Sequence, residues 1–163
     1  MGIFNVLVRG MVSGLLGTAA MTVSELLEMS LSGREGSKVP GQVGAHLLPG
    51  RDPSSPDDVQ RLNTPVHWAH GITMGALRGA LDTVGLRGPA ATAAHFALLW
   101  GGDAALYRVL GVADVPWRWE PEELASDVGH KAVYAIVTGL TYDALTSRAD
   151  RKSGLPLTGK TRS

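Results

Sequence analysis

Gly10–Ser24 reads GMVSGLLGTAAMTVS and Gly88–Gly102 reads GPAATAAHFALLWGG, and neither run contains an ionised side chain. Both have the length and composition of helices, and a helix in water normally keeps one face charged. Two charge-free helical runs therefore point to hydrocarbon as the surrounding medium. The ionisable groups that interrupt the apolar stretches are Glu25, His70, His95, Asp103 and His130. Charges in such segments are expensive, so each of the five is a candidate for function.

Working outward, composition sets the limits. A chain of 163 residues makes one domain, and 15 Lys and Arg balance 15 Asp and Glu, with a pI near 7.0. A neutral chain without a basic face offers nucleic acid no electrostatic footing, so no nucleic-acid partner is expected. The absence of cysteine excludes disulfides, thiolate metal sites and cysteine nucleophiles. The hydrophobic fraction of 44% and mean hydropathy of +0.07 are low for a membrane protein. The polar residues, however, gather in a loop at 32–63 and in the tail at 148–163. The remainder of 1–147 reads as the membrane domain.

Four segments remain in that domain. The first spans about Ile3 to Leu31. The second starts at Asn63-Thr64-Pro65, where Asn or Thr can cap and proline suits the first turn, and ends near Leu81. The third follows Arg87-Gly88-Pro89 and ends near Gly111; the fourth runs from Glu120-Pro121-Glu122 to about Thr146. Each has the ~20 residues needed to cross ~30 Å of hydrocarbon. Within the polar loop, Gln42 to Leu48 reads as a short surface helix, and KSGLPLTGKTRS at the end as a disordered tail.

At 100° per residue the small and polar positions of each segment fall on one stripe. Gly10, Gly14, Gly17, Thr18, Met21, Glu25 and Glu28 share a face of the first helix, opposite Val12, Leu15, Leu16, Val23, Leu26 and Leu27. His67, Gly71, Gly75, Arg78 and Asp82 align on the second, and His95, Leu99, Gly102 and Asp103 on the third. Glu123, Asp127, His130, Tyr134, Thr138 and Thr141 do so on the fourth, backed by Val128, Ala132, Ala135, Ile136 and Leu140. A soluble bundle would show the same period with its polar stripe outside. Stripes of Gly, Ser, Thr and His suit an interior instead.

Glycine spacing supports that placement. Gly71, Gly75 and Gly79 form GxxxGxxxG, and Gly10 and Gly14 form another GxxxG. Each glycine costs about 0.8 to 1 kcal/mol relative to alanine in a water-exposed helix, whereas in a membrane small residues allow close helix packing. Trp100, Trp117 and Trp119 suit the headgroup level. The basic tail, with Arg148, Arg151, Lys152, Lys160 and Arg162, places the C-terminus in the cytoplasm, and four crossings bring the N-terminus to the same side. Arg34, Lys38, Arg51 and Arg61 in the long loop pull the other way. The N-terminus lacks a basic region and a cleavage site, so no cleavable signal peptide is expected.

Val8-Arg9-Gly10 can be aligned with Leu86-Arg87-Gly88, an offset that also sets Glu25 on Asp103, while His70 and His130 hold comparable places in the second and fourth helices. The pattern is that of two related helical hairpins, each carrying an acid and a histidine. RLNTPVHWAHGITMGALRGAL, LRGPAATAAHFALLWGG and PWRWEPEELASDVGHKAVYAIVTGLTYDAL together resemble uncharacterised small bacterial membrane proteins similar to the YagU-like inner-membrane family of unknown function. The resemblance covers about Arg9 to Leu145 and rests on the spacing of His, Gly, Trp and Tyr. It implies a bacterial inner-membrane placement and no particular activity.

His67 and His70 lie three apart on one helix, as do Glu25 and Glu28 on another, so these four are the metal-ligand candidates. Di-iron bundles use a Glu-x-x-His pair, which this chain lacks. A haem held by two of His67, His70, His95 and His130 is a further geometric option, and for His95 alone a hydrogen-bonded interior histidine is the simpler reading. No cofactor is therefore expected. Phosphate-binding GxxxxGK[ST], GxSxG and HExxH motifs are all absent, and no Ser or Thr has an activating motif. The expectation is an all-α, four-helix transmembrane bundle without enzymatic activity, a packing or accessory component in contact with lipid, with copies of itself or with a larger complex. Two alternatives stay open: a proton or metal-ion carrier using the buried carboxylates and histidines, and a soluble bundle that binds an apolar ligand.

Overall fold

The structure, a computed structural model, describes residues 2–152, and their regular elements are all helical. In chain order these are α1 (Ile3–Ser32), α2 (Val39–Leu47), α3 (Pro56–Thr83), α4 (Gly88–Leu110) and α5 (Pro121–Lys152), with one 3₁₀ turn at Pro116–Arg118 before α5. Local chemistry sets the ends. Gly33 and Gly111 adopt left-handed φ of 71° to close α1 and α4, a conformation that disfavours any side chain. Pro89 and Pro121 sit in first turns, where the missing N–H has no helical partner to lose.

Three boundaries differ from the sequence expectation. α3 begins at Pro56, not at Asn63-Thr64-Pro65, because Ser55-Pro56-Asp57-Asp58 is the stronger start. The Ser55 hydroxyl accepts the Asp58 N–H at 3.3 Å, and two acids face the positive end of the helix dipole. Pro65 consequently lies inside the helix and Asn63 does not cap α3. The stretch expected as a loop to residue 63 is therefore helical in its last part. α2 spans Val39–Leu47 and is more than a surface helix: Gly41, Val43, Gly44 and Ala45 are buried, and Gly41 lies directly against Val59 of α3. α5 carries on to Lys152, so the first residues of the expected tail are helix, and 153–163 lie outside the described residues.

The long helices form an up-down-up-down bundle. Along α1, Val6 packs on Gly79, Gly10 on Gly75, Gly14 on Gly71 and Thr22 on His67, so α1 and α3 are antiparallel. Gly17 meets Thr138 and Ser24 meets His130, which makes α5 antiparallel to α1 as well. α4 closes the square, with His95 against Met74 of α3 and Thr92 against Gly139 of α5. The two glycine motifs thus meet one another. A Cβ on Gly14 would lie 2.7 Å from the Gly75 Cα, closer than packed carbon atoms can come.

Beside an apolar core that includes Val6, Leu62, Leu81, Leu99 and Tyr134, several polar side chains are buried while large aliphatic ones are exposed. Ser13, Thr18, Thr138, Arg78 and His95 are 0% exposed, while Phe4 is 74%, Leu31 87% and Leu140 67% exposed. Val12, Leu15, Leu16, Val23, Leu26 and Leu27 are all exposed, opposite the buried Gly10, Gly14, Gly17 and Thr18, as the period of α1 predicts. Three stripe positions differ: Gly102 and Glu123 are exposed and Ala135 is completely buried, since α4 is rolled to face α3 and α5, α5 is wedged between α1 and α4, and Glu123 lies in the open first turn of α5. α1 is long and apolar enough to cross a membrane, and it is the one described helix that meets both requirements.

Candidate functional site

The glycine contacts close the half of the bundle that holds the start of α1. At the other end, beyond Gly71 and Gly17, the side chains grow and the helices separate around a cavity of about 690 Å³. The C-terminal half of α1, the middle of α3, the C-terminal half of α4 and the start of α5 form its walls. α2 and the segment between α4 and α5 cover it.

Asn63 holds the α2 side in place: its amide oxygen accepts the Gly41 N–H at 2.9 Å and its NH₂ donates to the Ser37 carbonyl at 2.9 Å. On the other side Asp114 organises the cover. It accepts the Val115 N–H at 2.8 Å and Arg118 at 3.0 Å, and these donors hold its carboxyl below the usual carboxylate range. Trp119, which lines the cavity, donates its indole N–H to the Asp114 carbonyl at 2.6 Å.

Two acid and histidine pairs bridge different helices. His130 of α5 approaches Glu28 of α1 with Nε2 2.6 Å from Oε2, and its other ring nitrogen is 2.8 Å from the Ser24 hydroxyl. Facing a carboxylate, Nε2 carries the proton. Ser126 donates to the same Glu28 oxygen at 2.7 Å, and Arg34 to the other at 2.9 Å. His70 of α3 lies 3.0 Å from Asp103 of α4 through Nε2, off the line of the ring N–H, so this contact is electrostatic more than a well-directed hydrogen bond. The pairing is crosswise between the hairpins, His70 reaching Asp103 and His130 reaching Glu28, one turn beyond the expected Glu25.

Lys131 ties the second pair to a larger network. Its ammonium sits 3.2 Å from Asp103, 2.8 Å from Asp127 and 5.0 Å from the centre of the Tyr107 ring. Trp100 donates to Asp127 at 3.0 Å. Lys131 is 8% exposed, and a buried ammonium persists only with such partners. The i,i+4 spacing of Asp127 and Lys131 was the signal for this network, but only the fold brings Asp103, Tyr107 and Trp100 to it.

The remaining candidates separate. Glu25 lines the cavity one turn before Glu28, and it has no hydrogen-bond or ion-pair partner among the described residues. His67 contacts the Thr22 hydroxyl at 3.1 Å. His95 is not a wall residue. It is wholly buried in the closed half, where Nε2 donates to the Met74 carbonyl at 2.9 Å. Glu25, Glu28, His67 and His70 do not converge: no group of three or more His, Asp or Glu among the described residues could hold a metal ion. Each of the four histidines considered for haem has its own protein partner. Arg78, at the opposite end, pairs with Asp143 at 2.6 Å and stacks on Tyr142, 4.6 Å from the ring centre.

Comparison with family models, curated proteins and solved structures finds no match. Function has to be argued from the geometry alone.

Proposed function

We propose that this chain is an integral membrane four-helix bundle that binds a small molecule in a vestibule opening on one face of the bilayer. The observation that carries the reading is the pairing of an exposed belt of large aliphatic side chains on α1 with the full burial of Ser13, Thr18, Arg78, His95 and Thr138 beside the apolar core. Water would drive those two sets to opposite places, whereas a bilayer leaves the aliphatic belt without penalty and rewards close backbone packing inside. The span-like length of α1 supports the placement. α3, α4 and α5, with about 23 to 32 residues each, have the reach to cross although their composition is mixed.

The cavity turns the reading from a purely packing role toward binding. Its volume falls within the range of about 300–1,000 Å³ usual for ligand sites. The glycine-sealed half below it argues for a dead-end pocket in this conformation. With both termini in the cytoplasm, as the basic tail indicates, the vestibule opens on the opposite side. A bacterial inner membrane and the kinship to YagU-like proteins belong to the same proposal. Carriage of protons or cations is the second reading, favoured by the crosswise acid and histidine contacts, and it would require the closed half to open.

The chain has no cysteine, so single thiols can be introduced without background. Thr22→Cys should react with a membrane-impermeant maleimide added to one face of intact membranes. Leu16→Cys, on the outer belt, and Ser13→Cys, in the sealed half, should stay unlabelled, since a thiol in hydrocarbon or dry protein does not ionise. The wild-type protein should also stay with membranes through a carbonate wash. Recovery in the soluble fraction, or equal labelling at positions 16 and 22, would show a soluble bundle instead.

A further inference from the structure

The charge lining the cavity is unbalanced. Among the described residues of the wall, Glu25, Glu28, Glu35, Asp103, Glu123 and Asp127 contribute six carboxylates, against Arg34, Lys131 and the three histidines His67, His70 and His130. Within the interior, three of the acids are already satisfied. Glu28 holds His130, Ser126 and Arg34; Asp103 holds Lys131 and His70; Asp127 holds Lys131 and Trp100. Glu25 is the exception. It projects from α1 between these groups, near enough to His130 and Lys131 to feel their charge, but among the described residues no side chain makes a hydrogen bond or ion pair with it.

We propose that the vestibule takes a monovalent organic cation with an apolar body, and that Glu25 is its anchor. This rests on the reading of the cavity as a water-accessible vestibule. A buried or half-buried carboxylate is costly unless paired, and a ligand cation supplies the missing partner. The space is far too large for a bare ion, and no group of three or more potential metal ligands stands among the described residues. The rest of the wall suits an organic body: Trp68, Trp119 and Tyr107 offer ring surfaces, with Met21, Met29 and Val43 completing an apolar side. Lys131 over Tyr107 shows the same chemistry within the protein, an ammonium held by carboxylates on one side and a ring face on the other. An anionic or neutral ligand would leave Glu25 unpaired and add to the negative excess.

Tetraphenylphosphonium and tetraphenylborate, matched in size and shape and opposite in charge, test this directly. With purified protein in a neutral detergent, equilibrium dialysis should show the phosphonium binding at least tenfold more tightly than the borate. Glu25→Gln keeps the shape and removes the charge, and should weaken phosphonium binding on the order of tenfold while leaving the borate unchanged or improved. Glu25→Asp, which keeps the charge, should retain the preference and controls for a folding defect in the glutamine variant. Equal affinity for the two ions in the wild type overturns the inference, as does a folded Glu25→Gln protein that keeps its phosphonium affinity. One-sided labelling of Thr22→Cys alongside such a result would leave the vestibule standing and reject only the cation; loss of that labelling would reject the vestibule itself.

Discussion

At the scale of single residues, the closest constraint is the backbone contact between Gly14 and Gly75. Each occupies the space a Cβ on the other would need, with the neighbouring atoms being main chain and unable to move aside cheaply. Gly75→Leu should therefore destabilise the bundle by about 3 kcal/mol, the upper end of overpacking costs, because backbones and not side chains must yield. Gly102→Ala is the control. Nothing stands within 4 Å of a Cβ there, the helix continues through it, and the change should be neutral or stabilise by up to about 1 kcal/mol. Thermal unfolding in detergent reads both; a Gly75→Leu protein as stable as the wild type would mean that α1 and α3 do not touch here.

Among the elements, α2 is the shortest α-helix, and its position rests on both packing and one side chain. It is nine residues long, too short to be stable alone, and leans on Val59, Leu62 and Val66 of α3. The Asn63 amide clamps the chain at Ser37 and Gly41, so this one side chain fixes the wall of the vestibule formed by Val39, Pro40 and Val43. Asn63→Ala should accelerate amide hydrogen exchange across residues 37–44 by about tenfold, as loss of roughly 1 to 1.5 kcal/mol of local hydrogen bonding implies, with little change at α1 or α5. Exchange that rises equally throughout the bundle would show that Asn63 supports the fold as a whole and not the cover.

For the whole molecule, the sign of one substitution separates the two media. Leu16 is 48% exposed on the outer belt of α1. In a bilayer, Leu16→Arg places a charge in hydrocarbon at about 2.5 to 3.5 kcal/mol, and membrane yield should fall accordingly. In water the same change would remove exposed apolar surface and improve solubility. Membrane-fraction yield, compared with that of a Leu16→Ile control, tells the two apart, and a higher yield of soluble Leu16→Arg protein would refute the bilayer placement.

Much of this was legible in the chain because helical period is a local property. The charge-free runs, the opposition of Gly10, Gly14 and Thr18 to Leu15 and Leu16, and the alignment of Gly71, Gly75 and Gly79 follow from 3.6 residues per turn and need no partner to be seen. The start of α3 is misread at Asn63-Thr64-Pro65, although the local signal at Ser55-Pro56-Asp57-Asp58, a serine cap followed by two acids, is the stronger one, and Val59 and Leu62 then pack against α2. What tertiary structure alone decided is which charge meets which. Glu28, not Glu25, takes His130, and Lys131 joins Asp103 to Asp127, because these contacts depend on how α1, α4 and α5 are rotated and staggered about one another. Rotation and stagger are set by side-chain packing between segments far apart in the chain. A sequence shows which face of a helix is polar; it takes the assembled bundle to leave Glu25 half-buried in the cavity wall without a hydrogen-bond or ion-pair partner among the described residues.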